Sequence, residues 1–120
     1  MIYNFYGIHT ISEIYDVDNE KINNEALIIE SIELGIKKSG ASLVQTYSFR
    51  FAPMGLTIFS ILKESHVSIH TYPEKNAAFI DAFTCGDIDP EIIVQTIIDF
   101  LLPKKVYTKT IKRGIKDISF

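Results

Sequence analysis

The sequence predicts an α+β fold, a two-layer sandwich in which one antiparallel β-sheet is covered by two helices. Three observations carry this. Short segments with strand-like alternation are joined by links too brief for parallel crossovers. Two segments show helical periodicity, each opened by a cap and closed by a breaker, and amphipathic helices need an apolar surface to cover. The order runs β α β β and then β β α β, the pattern of two pseudo-repeated halves.

Residues 7–17 place Ile8, Thr10, Ser12 and Ile14 on one face of a strand and His9, Ile11, Glu13 and Tyr15 on the other, with His9 and Glu13 side by side. Asp16 to Asn24 is polar and acidic, a link that supplies an Asn cap. From Glu25 to Ser39 the residues Ile28, Ile29, Ile32 and Ile36 recur at helical spacing. Glu30, Glu33 and Lys37 face out, Glu33 and Lys37 form an i,i+4 pair, and Gly40 closes the helix. Ala41 to Phe51 is β-branched and aromatic and reads as a strand. Pro53 and Gly55 punctuate it before a second strand at Leu56 to Lys63. His66 to Tyr72 is a third strand, stopped by Pro73, and Ala77 to Thr84 a fourth. Asp89-Pro90-Glu91 is a helix start: Asp caps, Pro fits the first helical position, and Glu suits the positive helix end. Ile93, Val94, Ile97, Ile98 and Leu101 continue that helix until Pro103, and Lys104 to Lys112 alternates as a last strand.

A chain of 120 residues suits a single domain, 1–120, with no interdomain linker. Its 47% hydrophobic and 22% charged residues are those of a globular protein, and no apolar run is long enough to cross a membrane. A formal charge of -3 argues against a nucleic-acid partner. Lys104, Lys105, Lys109, Lys112, Arg113 and Lys116 cluster late, spread along the last strand as the solvated side of a sheet edge. One cysteine excludes an internal disulfide, and no Cys/His spacing fits zinc, so no metal is expected. Met1 to Gly7 lacks the basic-then-apolar order of a signal peptide, and a cytoplasmic location is the default expectation.

Reactive side chains concentrate between residues 64 and 85, which hold two of the three histidines and the only cysteine. Alternation puts His66, Ser68, His70 and Tyr72 on one face, and Phe79, Asp81, Phe83 and Cys85 together on the next strand. A short link between those strands brings Cys85 towards Ser65 at the opening of the first, so hydroxyl, imidazoles and thiol are expected to converge on one pocket. Two readings follow from the residues alone. One is a polar sheet face with cysteine as small, inert filler. The other is a nucleophile pair for acyl transfer, with Cys85 attacking and His66 or His70 as base.

The run Glu64-Ser65-His66-Val67-Ser68-Ile69-His70-Thr71-Tyr72-Pro73-Glu74, followed by Ala77-Ala78 and Phe83-Thr84-Cys85-Gly86-Asp87, resembles the short bacterial and archaeal, pyruvoyl-dependent S-adenosylmethionine decarboxylase proenzymes. Gly7, His9, Glu13 and Tyr15, then Phe51 and Pro53, and finally Lys112-Arg113-Gly114 extend the similarity over most of the chain. The resemblance implies autocatalytic cleavage between Glu64 and Ser65 into a β chain of residues 1–64 and an α chain of residues 65–120, with Ser65 becoming a pyruvoyl group. It implies His70 as an acid/base group in processing, Cys85 as the proton donor to the substrate α-carbon, Phe51 stacked on adenine and Glu74 on the ribose hydroxyls. It also implies S-adenosylmethionine as substrate, a product used in spermidine synthesis, and a homodimer of cleaved protomers. Three positions depart from the family pattern: Thr57 stands where a processing serine is expected, Ile58 replaces a glycine, and Lys63 adds a charge beside the cleavage point. The alternatives are the same mechanism on arginine or ornithine, and an unprocessed, inactive relative serving as a binding module.

Overall fold

The structure, a computed structural model, describes residues 5–118. Its elements are β1 (Gly7–Tyr15), α1 (Asn19–Ile22), α2 (Glu25–Ser39), β2 (Leu43–Arg50), β3 (Leu56–Leu62), β4 (Ser65–Tyr72), β5 (Ala77–Cys85), α3 (Pro90–Leu101) and β6 (Lys105–Arg113). The six strands form one sheet in the order β2-β3-β4-β5-β1-β6, every neighbouring pair antiparallel. The α+β sandwich is the one read from the sequence, and the β α β β, β β α β order holds but for the short helix α1 inserted after β1.

Both long helices lie on one face of the sheet. Ile28, Ile32 and Ile36 of α2 and Ile93, Val94, Ile97 and Leu101 of α3 bury their side chains against Ile14, Ile58, Val67, Ile69, Ala78, Ile80 and Ala82. These strand residues have the parity that alternation assigned to the covered face. Gly35 lets the helices approach: a Cβ there would stand 3.0 Å from the Ile93 carbonyl oxygen. The polar residues of this face satisfy one another across strands, Thr10 with Thr110 at 2.9 Å, Ser12 with Thr108 at 2.8 Å and Thr46 with Ser60 at 2.8 Å. Among the described residues no buried side-chain nitrogen or oxygen lacks a partner.

Capping follows the sequence signals. Asn24 accepts from the Leu27 N–H, Gly40 closes α2 at φ 84°, and Asp89 accepts from the Glu91 N–H with Pro90 at the first helical position. The link after β1 is more structured than expected. Asp16 turns the chain at φ 58°, Asp18 accepts from the Glu20 N–H, and the short helix α1 carries Ile22 into the core. Helix α3 ends two residues before Pro103, where Leu102 takes a left-handed conformation and its N–H bonds the Ile98 carbonyl. Glu33 and Lys37 both lie exposed on α2, and Glu33 accepts from Thr46 at 3.4 Å.

No helix among the described residues is long and apolar enough to cross a membrane. Ile97 is fully buried between helix and sheet, so Ile97→Ala should cost about 2–5 kcal/mol, read as a fall in the urea unfolding midpoint.

Candidate active site

The uncovered face of the sheet carries the chemistry. Its inner rows hold His9 and Glu13 on β1, Thr57 and Phe59 on β3, His66, Ser68 and His70 on β4, and Phe79, Asp81 and Phe83 on β5. A cavity of about 520 Å³ opens on this face, lined in part by Glu13, Thr57, Ser68, His70, Asp81 and Lys109. Its size suits a small-molecule ligand.

Glu64 and Ser65 sit where β3 turns into β4. Lys63 and Glu64 form a two-residue turn and Leu62 pairs with Ser65. Such a tight reversal calls for positive φ at or just beyond the turn, usually supplied by glycine. Here Ser65 supplies it, held at φ 145°, a conformation that costs on the order of 1–3 kcal/mol for a residue with a Cβ. Several contacts hold it there. The Lys63 N–H donates to the Ser42 carbonyl at 2.9 Å, the Glu64 carboxylate accepts from the Ser42 N–H at 2.9 Å, and the Glu64 carbonyl accepts from the Cys85 N–H at 3.0 Å. The carbonyl preceding Ser65 is therefore already polarised by a backbone donor. Lys63 points its charge into solvent and leaves this clamp intact.

Around Ser65 a chain of polar side chains crosses three strands. The Ser65 hydroxyl lies 3.2 Å from His66 Nδ1, and His66 Nε2 lies 3.3 Å from Asp81 Oδ2. The same Asp81 oxygen is 2.9 Å from His9 Nε2, and the Ser68 hydroxyl donates to Asp81 Oδ1. Arg113 donates to His9 Nδ1 at 3.4 Å while its guanidinium lies 4.6 Å over the Phe83 ring. Phe59 stacks on His66, with ring centroids 5.4 Å apart. His9, His66 and Asp81 are also the one group among the described residues whose ligand atoms converge closely enough to hold a metal, within 4.8 Å. The same three atoms are hydrogen-bonded to one another, both imidazoles to Asp81 Oδ2.

His70 belongs to a second group. Its Nδ1 is 2.6 Å from the Thr57 hydroxyl, and its ring packs against Phe51 at 5.5 Å and Tyr72 at 4.6 Å. Thr57 thus meets the His70 imidazole through a secondary hydroxyl. Ile58, in place of glycine, is a fully buried core residue. Phe51 follows β2, 41% exposed and edge-on to Phe49, and Glu74 is exposed on the 3₁₀ turn Pro73–Lys75 that ends β4.

The candidate residues therefore divide. Ser65, Glu64 and Cys85 meet at the start of β4, as the strand link predicted, whereas His70, Thr57, Phe51 and Glu74 gather towards its end. Five residues of strand at about 3.3 Å each put His70 roughly 16 Å along β4 from Ser65, so the expected convergence on one pocket within the chain does not occur. Cys85 is half-buried, and among the described residues its sulfur makes no hydrogen bond to His66 or His70, so no thiol–imidazole pair is formed. The sequence alone assigns Asp81 and His9 no chemical role. Asp81 shares the face of Cys85 by alternation and pairs with Ser68, but its link to His9 needs the β5–β1 register, which joins residues 72 apart. On β1, Tyr15 donates to the Glu13 carboxylate, and that hydrogen bond, more than the carboxylate's charge, raises the phenol's pKa above its ordinary value.

A one-sided antiparallel sheet that carries a strained serine, imidazoles and a thiol on strands rather than loops defines an enzyme of the two-layer α+β class. The sequence profile of the S-adenosylmethionine decarboxylase family matches residues 8–114. An S-adenosylmethionine decarboxylase proenzyme from Methanococcus aeolicus is 40% identical over 109 residues, covering 90% of this chain and 93% of that one. Another from Brevibacillus brevis is 32% identical over 119 residues, covering 98% and 90%. The crystal structure of the adenosylmethionine decarboxylase from Aquifex aeolicus superposes with a TM-score of 0.82 at 33% identity, covering 95% of each chain. The chain belongs to the S-adenosylmethionine decarboxylase family, whose members are carboxy-lyases.

The Ser42 clamp gives a test of the turn. Glu64→Ala removes the acceptor for the Ser42 N–H and should lower stability by about 1 kcal/mol, whereas Glu64→Gln keeps an acceptor and should lose less. Urea unfolding of both variants in a Ser65→Ala background, which has no hydroxyl to react, measures the difference.

Proposed function

We propose that this protein is a pyruvoyl-dependent decarboxylase that converts S-adenosylmethionine to its decarboxylated form, the aminopropyl donor for spermidine synthesis, after cutting itself between Glu64 and Ser65. The observation that carries the reading is the Glu64–Ser65 turn: a serine at φ 145°, its hydroxyl on an imidazole, beside a carbonyl bonded by the Cys85 N–H. Relatives named as proenzymes support it. The Ser65 hydroxyl attacks the Glu64 carbonyl and turns the peptide bond into an ester. Loss of the Ser65 Cα proton then expels Glu64 as the carboxylate end of chain 1–64, and hydrolysis with release of ammonia leaves a pyruvoyl group at the head of chain 65–120.

That group supplies an electron-withdrawing ketone to which the substrate amine attaches while CO2 departs, chemistry no ordinary side chain offers. The site fits it, because residue 65 borders the open face and Cys85 stands beside it. Cys85 holds, as a thiol, the proton for the substrate α-carbon. Phe51 offers a ring face to adenine and Glu74 a carboxylate to the ribose hydroxyls. His70, held by Thr57, serves as an acid/base group in processing. A cytoplasmic location suits a lone cysteine that must remain reduced.

The roughly 16 Å between Ser65 and His70 points to a homodimer in which the uncovered sheet faces meet, so that the end of one β4 lies near the start of the other. The exposure of Tyr47, Phe49, Phe59, Phe79 and Tyr107 on that face supports this, since monomers seldom leave such an apolar surface bare.

Intact mass under denaturing conditions tests the cleavage. Two fragments dividing at Glu64/Ser65 are expected, against a single 13.6 kDa species for Ser65→Ala and for an unprocessed binding module. Release of CO2 from S-adenosylmethionine but not from arginine or ornithine is the expected substrate pattern, and the reverse pattern transfers the mechanism to another amino acid. A second test addresses the dimer. Ser65→Ala and His70→Ala chains, each defective alone, should yield cleaved chain when co-expressed, because a mixed dimer retains one complete site. Equal defects alone and together would place both residues in one protomer's site.

A further inference from the structure

Self-cleavage needs a base for the first proton, the one on the Ser65 hydroxyl. His70 of the same chain stands at the far end of β4 with its Nδ1 on Thr57, whereas His66 Nδ1 lies 3.2 Å from the Ser65 hydroxyl. The His70 of a facing copy is left the later proton transfers, beginning with loss of the Ser65 Cα proton. We propose that His66 is the catalytic base of the acyl shift and that Asp81, anchored by Ser68 and His9, is its positioning residue. The inference rests on the self-cleavage reading and adds to it the group that starts the reaction.

Donor and acceptor directions along the network agree with this assignment at every link. Asp81, as a carboxylate, only accepts. It takes the His66 Nε2–H and the His9 Nε2–H on Oδ2 and the Ser68 hydroxyl on Oδ1. His66 is thereby fixed as the tautomer with a bare Nδ1, the atom 3.2 Å from the Ser65 oxygen. His9 is fixed in the same tautomer, and its bare Nδ1 faces the Arg113 N–H. A nucleophile hydroxyl, an imidazole accepting its proton and a carboxylate holding that imidazole form the arrangement that activates serine nucleophiles on unrelated folds. In a regular strand the side chains of Ser65 and His66 would point to opposite faces. The irregular φ at Ser65 is what lets neighbours in sequence meet, and stacking between Phe59 and His66 limits the imidazole's rotation.

The step balances without an added reagent. His66 Nδ1 takes the hydroxyl proton as Ser65 Oγ bonds to the Glu64 carbonyl carbon, and the Cys85 N–H stabilises the oxygen that becomes negative. When the bond between that carbon and the Ser65 nitrogen breaks, the imidazolium returns the proton to the leaving nitrogen. The products are an ester from Glu64 to Ser65 Oγ and a free amine at Ser65.

The test follows freshly purified chain by intact mass, with and without hydroxylamine, which cuts esters but not amides. His66→Ala should slow cleavage by about 10²-fold or more. The uncut chain should resist hydroxylamine because it stops before the ester, and added imidazole should restore cleavage, which a merely structural role for His66 would not allow. Asp81→Asn should also slow cleavage with the chain left hydroxylamine-resistant, though less than His66→Ala, and serves should His66→Ala fail to fold. Cleavage of His66→Ala at the parent rate would overturn the proposal, as would accumulation of a hydroxylamine-labile chain, which would move His66 to a later step. In either case the parent chain still cuts itself and the self-cleavage reading stands. A parent chain that never cuts removes that reading and this inference together.

Discussion

Everything on the reactive side depends on the sheet being covered on one face only. Period-two alternation sends Val67, Ile69 and Thr71 of β4 under the helices and leaves His66, Ser68 and His70 on the opposite side. Neighbouring strands obey the same rule, so Asp81 and Phe83 on β5 and His9 on β1 face the same way as the β4 imidazoles. Burial of the helix-facing isoleucines stabilises the register, and the register places the polar groups. A one-residue slip of any central strand would move its functional set into the core.

The Glu64–Ser65 turn shows how stability elsewhere can hold a local misfit. Two-residue reversals favour glycine where φ turns positive, yet a serine stands there. The Ser42 and Cys85 backbones hold the turn through Lys63 and Glu64, and pairing of β4 with β3 and β5 fixes Ser65 from both sides. The strain thus falls on the residue whose peptide bond is proposed to break, and ester formation followed by cleavage would release it.

Much of the fold was legible because its signals are local. Asn24, Gly40, Asp89 and Pro90 announce helix ends through hydrogen bonds spanning a few residues, and isoleucine spacing marks the buried faces. Helix α1 was not legible, since four residues with one apolar side chain carry no period, and its formation depends on Asp18 capping and a core slot for Ile22. The site was legible in part. A motif singles out Ser65, His70 and Cys85 as candidates, and a short strand link brings Cys85 towards Ser65; the Cys85 N–H bond to the Glu64 carbonyl needed the structure. What escaped was the third dimension of the sheet. His9, His66 and Asp81 belong to three strands whose pairing depends on the whole topology, and the five-residue spacing of Ser65 and His70 looks like proximity until it is read as extended strand.

That spacing carries the last step. An extended strand cannot bring residues 65 and 70 together, so β4 presents two stations: a turn with a strained serine and its own imidazole at one end, and an imidazole held by Thr57 among aromatic rings at the other. The proposed acyl shift starts from what the first station holds, and His70 of the facing copy serves the later steps of processing. Chemistry on an adenosyl substrate needs an exposed ring and a free carboxylate, which, among the described residues, the second station offers in Phe51 and Glu74. The Asp81 and Glu64 carboxylates of the first are instead engaged by His66, His9, Ser68 and Ser42. On the proposed reading, a small chain with a single cysteine supports two chemistries because a facing copy supplies to each Ser65 the station that its own strand holds too far away.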